Sequence, residues 1–219
     1  MTFFLTRAWR RLRYGRPIVV VSGLPRSGTS MAMKMLEAGG LETFTDGVRT
    51  ADEDNPKGYY EYERVKDLAE EKDKSYLKKS RGKAIKIISF LLKDLPRDNN
   101  YRVIFMRRHL DEVLASQAKM LDRRGEENET EDMDMKDLFQ NHLWRVKYLL
   151  RHSPHIEAIN VDYSSVLADP APEARRIADF IGGLDAKKMQ AVVDARLYRN
   201  RAEEAATTGD REDGQSVGA

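Results

Sequence analysis

Residues 17–30 read Pro17-Ile-Val-Val-Val-Ser22-Gly23-Leu-Pro-Arg-Ser-Gly-Thr-Ser30. The apolar run after Pro17 shows no alternation with polar residues, which is the pattern of a strand buried on both faces of a parallel sheet. Residues 31–38 read as a helix that stops at Gly39-Gly40. A strand, a tight glycine loop and a helix open a βαβ unit. The octet from Gly23 to Ser30 follows G-x-x-x-x-G-x-S, and its flanking strand and helix are the context a phosphate-binding P-loop requires. The glycines let the backbone curl until successive N–H groups point inward, and the helix start adds partial positive charge. Arg26, Thr29 and Ser30 add a cation and two hydroxyls.

The departure from the nucleoside triphosphatase loop is equally informative. That loop carries lysine just before its final Ser/Thr, whereas this chain has Thr29 there and places its cation at Arg26. The strand expected over 102–106 ends in Arg107-Arg108, where a magnesium-holding aspartate would otherwise stand. The loop is expected to neutralise anionic oxygens with arginine and without a metal ion.

Composition agrees with one soluble α/β domain. The 219 residues hold 41% hydrophobic and 34% charged side chains, enough apolar material for one core under a heavily charged surface. With 38 basic against 36 acidic residues the net charge is only +2, so whole-molecule attraction to nucleic acid is not expected. The chain has no cysteine, which excludes disulfides, thiolate metal sites and cysteine nucleophiles and fits a cytoplasmic setting. No apolar run reaches the ~18–20 residues of a membrane span.

Three segments are expected: a basic N-terminal one over 1–16, the P-loop domain over 17–200, and a frayed tail over 201–219. The first joins Phe3, Phe4, Leu5, Trp9 and Leu12 to Arg7, Arg10, Arg11, Arg13 and Arg16. Two readings stand for it. It is a basic amphipathic helix for an anionic membrane or a partner, or a helix packing those five apolar residues on its own domain. Further strands are expected over 84–88, 102–106 and 156–161, with a short one over 41–45. Helices are expected over 61–79 (Val65, Leu68 and Ala69 inward), 110–122, 135–151 (Leu138, Phe139, Leu143, Val146, Leu149 and Leu150 inward) and from Pro170 or Pro172 to Phe180. Residues 123–134 read as a loop. His152 and His155 read as surface residues. The alternation predicts an α/β, three-layer P-loop NTPase-like fold with a central parallel β-sheet flanked by helices.

A second element, Arg108-His-Leu-Asp-Glu-Val-Leu-Ala-Ser116, sets an arginine at a strand end and a serine in the next helix. Arg108 emerges at the carboxyl edge of the sheet, where open α/β sheets bind ligands. It could grip a second phosphate together with Ser116, or pair with Asp111 or Glu112.

The two elements together resemble the sulfotransferase family, in its bacterial branch, which uses 3′-phosphoadenosine 5′-phosphosulfate (PAPS) as donor and releases 3′-phosphoadenosine 5′-phosphate (PAP). Pro25-Arg26-Ser27-Gly28-Thr29-Ser30 is similar to that family's 5′-phosphosulfate loop, and Arg108 with Ser116 to its 3′-phosphate element. Asp54-Asn-Pro-Lys-Gly-Tyr-Tyr-Glu61 and Val161-Asp-Tyr-Ser-Ser-Val-Leu-Ala-Asp-Pro170 resemble two further segments. Two positions depart: Ile88 stands where the cytosolic branch has a catalytic histidine, and its C-terminal cofactor-closing motif is missing, with only Arg196, Arg199 and Arg201 near the right place.

The resemblance implies sulfonate transfer to a hydroxyl or amine of a small-molecule, carbohydrate or lipid acceptor, with no metal and no nucleic acid. Glu61 would serve as general base, or would be an acid favoured in the first turn of a helix. Lys86 and Arg26 would stabilise charge in flight. Two other readings stay open: a sulfotransferase-like nucleotide-binding or interaction module without catalysis, and a P-loop kinase.

Overall fold

The computed structural model describes residues 2–47, 60–125 and 132–194, without the side chains of 2–6, 123, 124, 132 and 133. The tail over 201–219, Arg196, Arg199 and Arg201, and the Asn55–Pro56–Lys57–Gly58 stretch lie outside the described residues.

Four strands form one sheet: β1 (Ile18–Gly23), β2 (Ala84–Lys86), β3 (Tyr101–Arg107) and β4 (Ile156–Asp162). Their order is β2-β1-β3-β4 and every pairing is parallel. Both faces of β1 are buried, and its alternating side chains feed two cores. Val19 and Val21 point into one core with Met33, Leu36, Ile177 and Phe180, from helices α2 (Thr29–Ala38) and α6 (Pro170–Ile181). Ile18 and Val20 point into the other, with Leu68, Leu77 and Leu92 and with Val146 of α4 (Asp132–His152). A parallel sheet covered on both faces is the expected three-layer α/β architecture.

The remaining helices are α1 (Thr2–Tyr14), α3 (Leu110–Arg124), α5 (Tyr163–Ala168) and α7 (Ala186–Ala191). Helix α6 starts at Pro170, and the Asp169 carboxylate accepts from the Ala171 N–H as its cap. The chain enters β2 on one side of β1 and returns as β3 on the other. The strand order therefore reverses between β1 and β3, and their carboxyl ends open a crevice at that switch point.

Several expectations need correction. Residues 61–79 do not form an α-helix. They make two short 3₁₀ turns, Glu63–Asp67 and Ser75–Ser80, which bury Val65 and Leu68 and leave Ala69 exposed. The break lies at Asp73, whose carboxylate accepts from the Ser75 N–H at 2.9 Å and starts the second turn locally. Residues 41–45 contribute a single bridge, Thr43 to Ala84, not a strand. Strand β2 ends at Lys86, and a 3₁₀ turn follows at Ser89–Asp94.

Helix α3 runs on to Arg124 and α4 begins at Asp132, so most of the loop expected over 123–134 lies outside the described residues. On α4 the inward stripe is Phe139, Leu143, Val146, Leu149 and Leu150, as expected, and Leu138 falls outside it at 59% exposure. His155 is buried between the Tyr14 and Tyr101 rings, and burial pushes its pKa down.

Of the apolar residues expected to pack α1 on the domain, Trp9 and Leu12 do not, and the side chains of Phe3, Phe4 and Leu5 lie outside the described residues. Arg7 donates to Glu157 from Nε at 2.9 Å and Nη2 at 2.8 Å, and Arg10 donates to the Pro154 carbonyl at 2.9 Å. Arg7 and Arg10 face the domain, while Trp9 and Leu12 remain 48% and 89% exposed.

Candidate phosphate-binding site at the β1–β3 switch point

The loop after β1 adopts the curl its glycines were expected to permit. Gly28 caps α2 in the left-handed conformation, φ 92°, and no side chain caps that helix. The first-turn N–H groups of α2 therefore face the crevice without a side-chain cap, the arrangement that attracts anions. Ser27 is buried, and its hydroxyl ties the loop down by donating to the Leu24 carbonyl at 2.7 Å. Thr29 is buried and Ser30 half-buried at the helix start. Pro25 is exposed at the outer corner of the loop.

Arg26 is a non-glycine residue with positive φ, 67°. Such a backbone costs roughly 1–3 kcal/mol and persists where neighbours hold it. Here the holder is Arg108, whose Nη1 donates to the Arg26 carbonyl at 3.0 Å. The Arg26 side chain reaches the other way, donating from Nε to Ser116 Oγ at 3.1 Å. The two sequence elements are thus joined twice, once through each arginine.

The second element is wired differently from its reading as a simple Arg–Ser clamp. Arg108 Nε donates to Glu112 at 2.8 Å, and both side chains are more than nine-tenths buried. The guanidinium also lies 4.6 Å from the centre of the Tyr163 ring. Ser116 receives Arg26. Arg108 thus also holds the strained loop residue through its carbonyl.

Tyr163, at the start of α5, is a site residue that sequence reasoning did not single out, although it lies in the quoted 161–170 segment. It packs against both Arg108 and the loop, and burial raises its phenol pKa. A Cβ built on Gly28 would overlap the Tyr163 ring. Gly28→Ala is expected to cost roughly 2–3 kcal/mol, from the left-handed backbone and the overlap together. Equilibrium denaturation checks it; a cost under about 0.5 kcal/mol, the scale of an unremarkable surface change, would mean that the loop relaxes freely.

On the β2 side of the crevice, Lys86 and Glu61 meet. Lys86 is the last residue of β2 and pairs in register with Val21, two residues before Gly23. Its Nζ donates to Glu61 Oε1 at 3.0 Å, and the side chains are 12% and 20% exposed. Glu61 is placed from two sides: the Thr45 hydroxyl donates to its carbonyl at 2.8 Å, and the neighbouring Tyr60 hydroxyl donates to Glu37 of α2 at 2.6 Å. No helix begins at Glu61, so a first-turn dipole role does not account for this carboxylate.

Beyond β3 a cleft of about 310 Å³ opens between the loop, α3 and α4. Its wall is mixed: Leu24, Met106, Val113 and Leu143 line it together with the cations Arg107, Arg108 and Lys136. Asp111 binds both Lys136 at 2.6 Å and His109 at 3.3 Å at its rim.

No protein-family model and no curated protein matches the sequence. Among solved structures, the chain is similar to a sulfotransferase domain from the curacin biosynthetic pathway. The two share 13% sequence identity and a TM-score of 0.49, over 82% of this chain and 79% of that one.

Proposed function

We propose that this chain is a sulfotransferase that transfers a sulfonate group from PAPS to a hydroxyl or amine. The observation that carries the reading is the Lys86–Glu61 pair at 3.0 Å, on the sheet edge beside the glycine loop. A phosphate loop alone fits many chemistries. A carboxylate and an ammonium next to it supply what transfer of an anionic group needs: a proton acceptor and a cation.

The residues fit the donor's chemistry. The start of α2 with Thr29 and Ser30 would hold its 5′ side, and Arg107 and Lys136 in the cleft beyond β3 would offer charge for a further phosphate. The donor supplies an activated sulfonate: a new bond forms from sulfur to the acceptor atom as the bond from sulfur to the phosphate oxygen breaks, and PAP leaves. Glu61 would take the acceptor proton. Lys86 would neutralise the sulfonate oxygens and hold Glu61 in place before reaction. Arg26 adds positive charge on the loop and, through Ser116, fixes the loop to α3.

Titration calorimetry with PAP tests the reading, beside ATP and GTP, each with and without Mg²⁺. PAP binding that is independent of Mg²⁺ and stronger than that of either triphosphate is expected. Ser116→Ala should weaken it about ten-fold, by removing a hydrogen bond to a charged group that orders the loop. A preference for ATP or GTP with Mg²⁺ would replace this reading with a kinase or nucleotide switch. Absence of all binding would point to an interaction module.

A further inference from the structure

Helix α1 is amphipathic, and it turns an apolar stripe away from the domain. Thr2–Tyr14 contains no acidic residue. Among the described side chains, its contacts with the domain run through Arg7 on Glu157 and on the Phe180 carbonyl, Arg10 on the Pro154 carbonyl and 3.7 Å from Glu157, and the Tyr14 ring on His155. At 100° per residue, Ala8, Trp9 and Leu12 share the opposite side of the helix. All three are exposed, Leu12 at 89%. Arg11 and Arg13 flank that stripe, Arg16 follows it, and all three are exposed as well. Arg13 lies over the rings of Trp9 and Tyr14, at 5.7 and 5.5 Å from their centres.

An apolar stripe bordered by arginines needs a cover that is apolar within and negative at its rim. A second copy of the helix meets only half of that. Pairing two such stripes would bring both sets of arginines together with no carboxylate from either helix between them. We propose that the outward face of α1 docks on an anionic phospholipid surface. Trp9 sits at headgroup level, Leu12 enters the acyl boundary, and Arg11, Arg13 and Arg16 engage lipid phosphates. Among the described residues no helix is long and apolar enough to cross a membrane, so the contact is one of lying on the surface. This inference stands apart from the sulfonate-transfer reading.

Sedimentation of the full chain with vesicles tests it. Vesicles of phosphatidylcholine with phosphatidylserine should bind the protein at low salt, and pure phosphatidylcholine vesicles should not. Leu12→Asp should weaken binding about ten-fold or more, the scale of losing one buried leucine. Arg11→Gln with Arg13→Gln should weaken it and flatten its salt dependence. These side chains are exposed, so unchanged melting temperatures are expected alongside. In a Trp144→Phe background, Trp9 fluorescence should shift to the blue on binding. Three results would each overturn the proposal: no binding at low salt, binding unaffected by Leu12→Asp, or a dimer in sedimentation velocity that Leu12→Asp dissociates while vesicles have no effect.

Discussion

Arg108→Ala is expected to lower the unfolding free energy by about 3–5 kcal/mol, the usual cost of leaving one partner of a buried ion pair behind. Glu112 is 3% exposed and its carboxylate lies 2.8 Å from Arg108 Nε, so the substitution takes the guanidinium away from a buried carboxylate. The same change removes the donor to the Arg26 carbonyl and the cation facing Tyr163. For a chain of this size the loss corresponds to a melting-temperature drop of roughly 6–20 °C. Arg108→Met combined with Glu112→Leu should recover most of it, because an apolar pair of similar volume leaves no buried carboxylate there. That double variant still lacks the Arg26 contact, so it separates stability from loop geometry: the fold returns while anion binding stays weak. A loss of under 1 kcal/mol in Arg108→Ala would mean that Glu112 finds water or another donor. The result also governs how binding data are read, since failure of Arg108→Ala to bind a nucleotide would not by itself identify a phosphate contact.

The parts of this fold legible in the sequence are those fixed by local pattern and burial. Strand β1, the loop and α2 announce themselves because a strand buried on both faces must be apolar throughout, and because the loop needs glycine where Gly28 turns left-handed. Strand β3 follows the same logic, and helix α6 is marked by Pro170 and its Asp169 cap. The 3₁₀ turns over 61–79 were not legible: Val65 and Leu68, three apart, fit an α-helix and a 3₁₀ turn equally, and the Asp73–Ser75 hydrogen bond decided between them. The orientation of α1 was set from outside the helix, by Glu157 on β4 gathering Arg7 and Arg10, with Arg102 3.8 Å away. At the site, the resemblance brought Glu61 and Lys86 to attention separately. Their contact depends on Phe44 bonding to Ala84 of β2 while Thr45 holds Glu61, which no spacing encodes. The crossing of roles between Arg26 and Arg108 was hidden for the same reason: each arginine's partner lies 82 or 90 positions away along the chain.

Glu61→Gln is expected to lower turnover by about 10²–10⁴-fold, the range of a positioned general base, while leaving PAP affinity within a few-fold. Lys86→Met is expected to cost about 10²–10³-fold, the scale of removing one group that stabilises charge in a transition state. Release of PAP from PAPS, with water as acceptor, provides a readout that does not require the acceptor to be known. The pair is about four-fifths buried or more on both sides, at 20% and 12% exposure, so each single change should also cost modest stability, of order 1 kcal/mol. Melting curves then separate an unfolded variant from an inactive one. If base and cation act as one unit, the double variant should be little worse than Glu61→Gln alone, because the second substitution removes a group whose work has already stopped. Independent multiplication of the two losses would instead mean that Lys86 acts on the sulfonate without needing Glu61. Full turnover in Glu61→Gln would remove Glu61 as the base, and loss of PAP affinity in Lys86→Met would recast the lysine as a phosphate ligand. The four outcomes fall on different observables, turnover, coupling, affinity and stability, so a single set of three proteins distinguishes a catalytic pair from an ion pair that only closes the edge of the sheet.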